Sequence, residues 1–94
     1  SIVGIATIAP DLNMLDHSAT VWNIADVWVE PSYRRRGIAR NLVKVSEERA
    51  LLDGATEIRL QVYASNDAAS MMYGQLGYRT IIRTMRKRLG GDYH

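Results

Sequence analysis

Ninety-four residues allow at most one domain with a modest core, and 47% hydrophobic with 23% charged residues is the balance of a globular chain. There is no cysteine, which excludes disulfides and cysteine-based metal sites and fits a reducing, cytoplasmic setting. Net charge is only +2 but uneven, with Arg34, Arg35, Arg36 and Arg40 in one cluster and Arg79, Arg83, Arg86, Lys87 and Arg88 in another. An anionic partner is expected, and a small phosphorylated ligand serves as well as nucleic acid.

No apolar run approaches the ~20 residues of a membrane span. The opening "SIVGIATIAP" lacks the basic leader of a signal peptide and reads as a strand. It starts mid-pattern and without Met, as a piece of a longer protein or a processed form would. The apolar run from Ile2 to Ala9 predicts a buried strand, and Gly4 within it marks a bulge or a close backbone neighbour. Pro10 and Asp11 end it, and a loop runs to about Ala19. A second strand is expected from Thr20 to Val29, antiparallel to the first. Strict alternation puts Val21, Ala25, Val27 and Val29 on one face, and Trp22, Ile24, Asp26 and Trp28 on the other.

Pro31 stops that strand. From about Gly37 the period becomes helical, with Ile38, Leu42, Val45 and Leu52 on one face beside Ala39, and Lys44, Glu47 and Glu48 off it. Gly54 is a helix stop. "EIRLQVY" alternates as a strand. "SNDAASMMYGQLGY" is a second helix, capped by Ser65 or Asn66, helped by Asp67 and stopped by Gly77. "RTIIRTMRKRL" reads as a last strand. Arg83 and Lys87 in phase with Ile81 and Met85 place it at an edge. The expected class is α/β (α+β), in the order β-β-α-β-α-β. It has a mixed sheet in which the strand–helix–strand crossover makes the second and third strands parallel. Residues 1–89 form one domain and 90–94 a tail.

The stretch "EPSYRRRGIA" lies where a strand ends and a helix opens. The first amides of a helix lack internal acceptors and carry partial positive charge. Gly37 lets an anion approach the main chain, Ala39 is small, and the arginines add charge at the rim. The expected ligand is a pyrophosphate. No Gly-Lys-Ser/Thr follows, so it is not a P-loop. The other glycines of the dinucleotide fingerprint are missing too. The plain alternative is a solvated basic helix start.

Two motifs in order sharpen this. "VWVEPSYRRRGIARNLV" resembles motif A of the GNAT superfamily of acetyl-CoA-dependent N-acetyltransferases, with its core at Arg34, Gly37 and Ala39. "LQVYASNDAASMMYGQLGY" resembles motif B, with Asn66, Ala69, Met72-Tyr73 and Leu76-Gly77-Tyr78 in place. The resemblance covers roughly Ile2 to Leu89.

It implies acetyl-CoA as cosubstrate and no metal. The amides of Arg35, Arg36, Gly37, Ile38, Ala39 and Arg40 would hold the pyrophosphate, with Arg34 beside them. The main chain of Val27, Trp28 and Val29 would line pantetheine, and Asn66 would bond the cofactor arm. Tyr73 would sit near the sulfur and protonate the thiolate, and the Val27 amide would polarise the thioester carbonyl. Asp26 is the candidate base and Glu30 its alternative, while His17 reads as an ordinary surface residue. Each has a bland rival: Tyr73 as core aromatic, Asn66 as helix cap, Arg34 as surface charge. The family often carries a bulge in the second strand, which changes its facing.

The family fold normally begins with further elements that shape the acceptor pocket, and these do not precede "IVGIATI" here. A homodimer that covers the exposed sheet is expected. The acceptor is a small-molecule or peptide amine, with no membrane and no nucleic-acid motif. The alternative function is a non-catalytic module that binds coenzyme A or a protein.

Overall fold

The computed structural model describes residues 3–11 and 20–90, so His17, the loop before Ala19 and most of the tail lie outside the described residues. The chain divides into two compact units, residues 1–63 and 64–94.

The first unit holds a three-stranded sheet in the order β1-β2-β3. Strand β1 is Gly4–Pro10, β2 is Val21–Val29 and β3 is Glu57–Leu60. β1 and β2 are antiparallel, and β2 and β3 are parallel, as the crossover requires. The crossover is a short 3-10 turn, Pro31–Tyr33, followed by α1, Ile38–Leu52. α1 packs on β1 and β2. Val21, Ile24 and Val29 of β2 are buried, as are Val43 and Ala50 of α1.

The first strand's glycine is a close-approach glycine. A Cβ on Gly4 would lie 3.0 Å from Leu42 Cδ1, 3.1 Å from the Trp28 carbonyl and 3.2 Å from Ile38 Cγ2. Gly4 therefore faces α1, and its absent side chain lets the helix approach. The Trp28 oxygen is held by the backbone of a strand and cannot yield. Gly4→Ala is expected to lower the unfolding free energy by about 1–2 kcal/mol in chemical denaturation.

The bulge lies further along. Thr7 pairs with Asp26 but Ile8 pairs with Ile24, so Ala25 is an extra residue in β2. This corrects the strict alternation. Cross-strand partners share a face. Gly4, Ala6 and Ile8 face α1, so their partners Val29, Val27 and Ile24 do too. Ile5 and Thr7 face away from α1, with Trp28 and Asp26 opposite them. Asp26 thus shares a face with Trp28, but not with Trp22 or Ile24. One inserted residue reverses the facing of everything beyond it.

The buried stripe of α1 also differs from the expected one. Val43, Ser46 and Ala50 are buried, whereas Val45 and Leu52 are exposed. Ile38 and Leu42 of the expected stripe do meet the sheet, at Gly4. The Ser46 hydroxyl donates to the Leu42 carbonyl at 2.8 Å, and burial leaves it satisfied. The helix closes as expected at Gly54, which has φ 89°. The Ala55 N–H bonds the Ala50 carbonyl at 2.9 Å and the Gly54 N–H bonds that of Leu51 at 3.1 Å, the Schellman pattern.

The second unit holds α2, Asp67–Gln75. It ends in the same pattern, with Gly77 at φ 98°. The expected strand from Arg79 to Leu89 is not formed. Residues 78–89 carry neither helix nor strand, and residues 79–89 are exposed throughout. A strand needs a ladder partner and a face to bury. The described residues supply no ladder for this segment, and its alternating cations deny it a wholly apolar face. Among the described residues, no helix is long and apolar enough to cross a membrane.

Candidate functional site: a backbone slot and an open helix start

Among the described residues, one edge of β2 has no strand beside it near its end. The Glu30 N–H donates to the Val3 carbonyl at 2.7 Å, which continues the β1 ladder. In an antiparallel ladder successive residues turn their backbone groups to opposite sides. Glu30, Trp28 and Asp26 therefore point theirs at β1. Val27 and Val29 point theirs to the other edge. On that edge the ladder to β3 runs only from Val21–Glu57 to Ile24–Leu60 and stops at the bulge. Among the described residues no strand pairs with β2 beyond this point, so Val27 offers N–H and C=O, and Val29 its N–H, to an extended ligand.

The Val29 carbonyl on that side is already taken. Arg34 Nε donates to it at 3.0 Å. Arg34 thereby fastens the turn to the strand end, a role that its reading as rim charge missed. The Glu30 side chain is committed as well. It caps the 3-10 turn by accepting from the Ser32 N–H at 3.1 Å and from the Ser32 hydroxyl. An acid directly before Pro31 at the first position of a turn was the available signal. Arg36 lies over the Tyr33 ring, 5.2 Å from its centroid. At an exposed site that contact contributes ~0.5–1 kcal/mol and helps hold the turn.

The turn then opens α1. Arg35 has φ 65° and Gly37 has φ 76°, two left-handed residues separated by one. Such a path curls successive amides into a concave, anion-binding array. Gly37 is the helix N-cap, and no side chain caps it. The Asn41 N–H bonds the Gly37 carbonyl at 3.0 Å, so the amides of Ile38 and Ala39 precede the helical ladder. A Cβ on Gly37 would meet nothing within 4 Å. The space in front of it is open. Together the uncapped amides, Arg35, Arg36 and Arg40 suit a pyrophosphate.

Asp26 is exposed. The bulge moves it off the face of Ile24. It lies with Trp28 and Ile5, both large, apolar and part-exposed, on the face away from α1.

Asn66 and Tyr73 belong to the second unit. Asn66 caps α2, its side-chain oxygen accepting from the Ala69 N–H at 3.2 Å. Asn66→Ala is expected to cost about 1 kcal/mol of stability, and Asn66→Asp to recover most of it, read by thermal or chemical unfolding. Tyr73 is half-buried, and burial pushes its phenol above the ordinary 10.0. It is a neutral acid at physiological pH. Its ring meets that of Tyr78 edge to face, with centroids 5.8 Å apart and planes at 63°. Among the described residues, no cluster of three His, Asp or Glu is placed to hold a metal.

The chain is similar to known proteins in sequence and in fold. The profile of the acetyltransferase (GNAT) family matches residues 1–78. An acetyltransferase of Pectobacterium atrosepticum is 40% identical over 65 residues, covering 68% of this chain and 46% of that protein. The solved structure of a putative acetyl transferase from Pyrococcus furiosus superposes with TM-score 0.82 at 29% identity, over 95% of this chain and 58% of that one. A chain of the NatC complex bound to Gag peptide and CoA gives TM-score 0.81 at 26% identity, over 93% and 54%. The chain thus spans about half the length of these relatives. With a family match over residues 1–78, a bulged strand running into a glycine-opened helix, and neighbours of the same fold, this chain belongs to the GNAT acetyltransferase family.

Proposed function

We propose that this chain binds acetyl-CoA and transfers its acetyl group directly to a primary amine. The observation that carries the reading is the uncapped start of α1 at Gly37, next to the unpaired edge of β2. The amides from Arg35 to Arg40 bind pyrophosphate, and Arg34 keeps the turn in place. The main chain of Val27, Trp28 and Val29 lies along pantetheine, which adds to β2 as a strand would. The Val27 N–H polarises the thioester carbonyl as the amine attacks it. As the C–S bond breaks, Tyr73 gives its proton to the departing thiolate. Asp26 takes the proton the ammonium must lose, directly or through water. It is preferred to Glu30, whose carboxylate is held by Ser32.

Asn66 keeps its cap and offers its amide to the cofactor arm, so Asn66→Asp keeps stability but weakens acetyl-CoA binding. The reading takes residues 1–89 as one domain of a cytoplasmic, homodimeric enzyme. The presence of a bound peptide and CoA in the NatC structure supports peptide amines among the acceptors.

Calorimetric titration with acetyl-CoA tests it, with ATP and dephospho-CoA as controls, followed by CoA release against a panel of amines. Saturable binding with turnover supports the transferase. Binding without turnover on any amine supports the non-catalytic module instead. A folded protein that leaves acetyl-CoA unbound overturns the transferase and leaves only a module that binds a protein.

A further inference from the structure

We propose that Tyr78 is a positioning residue for Tyr73, holding the phenol where it can meet the leaving sulfur. The proposal rests on the acid role given to Tyr73 above.

A proton donor must be placed to within a fraction of an ångström, since misplacement by ~1 Å can cost ~100-fold in rate. The helix itself gives Tyr73 little support. Side chains on a helix lean toward its N-terminus, over the residues three and four positions earlier. For Tyr73 those are Ser70 and Ala69, both small. Its neighbour Gly74 and the residue four later, Gly77, have no side chain at all, which leaves Leu76, three later, as the one bulky side chain beside it on this turn. The bracing ring comes from beyond the helix end.

It arrives by a defined route. Gly77 at φ 98° turns the chain back on itself. The Gly77 N–H bonds the Gly74 carbonyl at 3.1 Å and the Tyr78 N–H bonds the Tyr73 carbonyl at 3.0 Å. The main chains of the two tyrosines are thereby locked together. Their rings meet at 5.8 Å and 63°, the favoured edge-to-face arrangement. A Schellman stop usually carries an apolar contact between these two positions. Here one partner of that contact is the proposed acid. The same bonds that end the helix bring the Tyr78 ring against that of Tyr73.

The test uses purified protein carrying 3-fluorotyrosine. There are five tyrosines, and the Tyr73 resonance is the one lost in Tyr73→Phe. Tyr78→Ala is expected to shift and sharpen that resonance, and Tyr78→Phe to leave it in place. Turnover is read with whichever of spermidine, lysine, an aminoglycoside or a short peptide is fastest. Tyr78→Ala should lower kcat about tenfold with KM for acetyl-CoA within about twofold, and Tyr78→Phe should restore it. In the Tyr73→Phe background, Tyr78→Ala should cost no further rate. A further tenfold loss there would make Tyr78 a general stabiliser and overturn the proposal. So would an unmoved Tyr73 resonance in Tyr78→Ala, which needs no turnover to be seen. If Tyr78→Ala fails to fold, Tyr78→Leu keeps the apolar contact without the ring edge and should show the same loss. Equal rates for Tyr73→Phe and the parent would instead overturn the acid role itself, whatever the fluorine signal shows.

Discussion

Tyr73→Phe is expected to leave acetyl-CoA affinity within about twofold and to lower kcat by about 100-fold. General acid catalysis contributes ~100- to 10,000-fold. The lower end applies because a thiol near pKa ~8.5 makes a fair leaving group even unassisted. Phe keeps the ring, its volume and its edge-to-face contact with Tyr78, so the packing that ends α2 survives. What is lost is a single proton donor that acts as the C–S bond breaks. Such a loss falls on kcat and not on ground-state binding. The pH profile gives a second readout. The acid works while protonated, and burial holds the phenol above 10.0, so the parent loses rate only above that pH. The variant lacks this limb. Equal rates for the two proteins would return Tyr73 to a packing role.

Gly37→Glu is expected to weaken acetyl-CoA binding by more than about 100-fold. Three effects act in the same direction. The new carboxylate faces a ligand carrying like charge, at about 1–3 kcal/mol per pair for ~5 Å and an effective dielectric between water and a protein surface. Its bulk fills the open space in front of the amides. The residue must also hold φ 76°, which costs an L-amino acid ~1–2 kcal/mol. Gly37→Ala separates these terms. A Cβ there touches nothing within 4 Å, so only the conformational cost remains. Alanine should retain binding within about tenfold. Isothermal titration of the three proteins decides it, and unchanged affinity in Gly37→Glu would refute the cradle.

Several features were readable directly from the chain. Gly54 and Gly77 stop their helices with left-handed φ, because a glycine followed by an apolar or small residue ends a helix by local hydrogen bonds alone. Asn66 caps α2 and Gly37 opens α1, again through contacts within a few residues. The parallel pairing of β2 and β3 followed from the helical crossover that joins them. The motifs around Gly37 and Asn66 pointed to the family for the same reason: the ligand is met largely by main chain, and main-chain shape is set by local sequence.

Tertiary structure decided the rest. No local signal marks Ala25 as an extra residue, yet that one insertion moves Val27 and Val29 to the helix face and leaves Asp26 exposed beside Trp28. Bulges are fixed by registration against a neighbouring strand, which periodicity within one strand cannot show. Ile38 and Leu42 of α1 meet the sheet at Gly4, and Val43, Ser46 and Ala50 are buried while Val45 and Leu52 are exposed, because the angle at which the helix lies on the sheet sets which residues are covered. Arg34 looked like one charge among four until its bond to the Val29 carbonyl appeared. Residues 79–89 have the composition of an edge strand but no partner among the described residues, and a strand exists only as half of a pair. The caps, the turns and the open helix start were legible in the chain because their energies are local. Which side chains face the core, which backbone groups stay unpaired and which carboxylate meets solvent depended on contacts between segments distant in the chain.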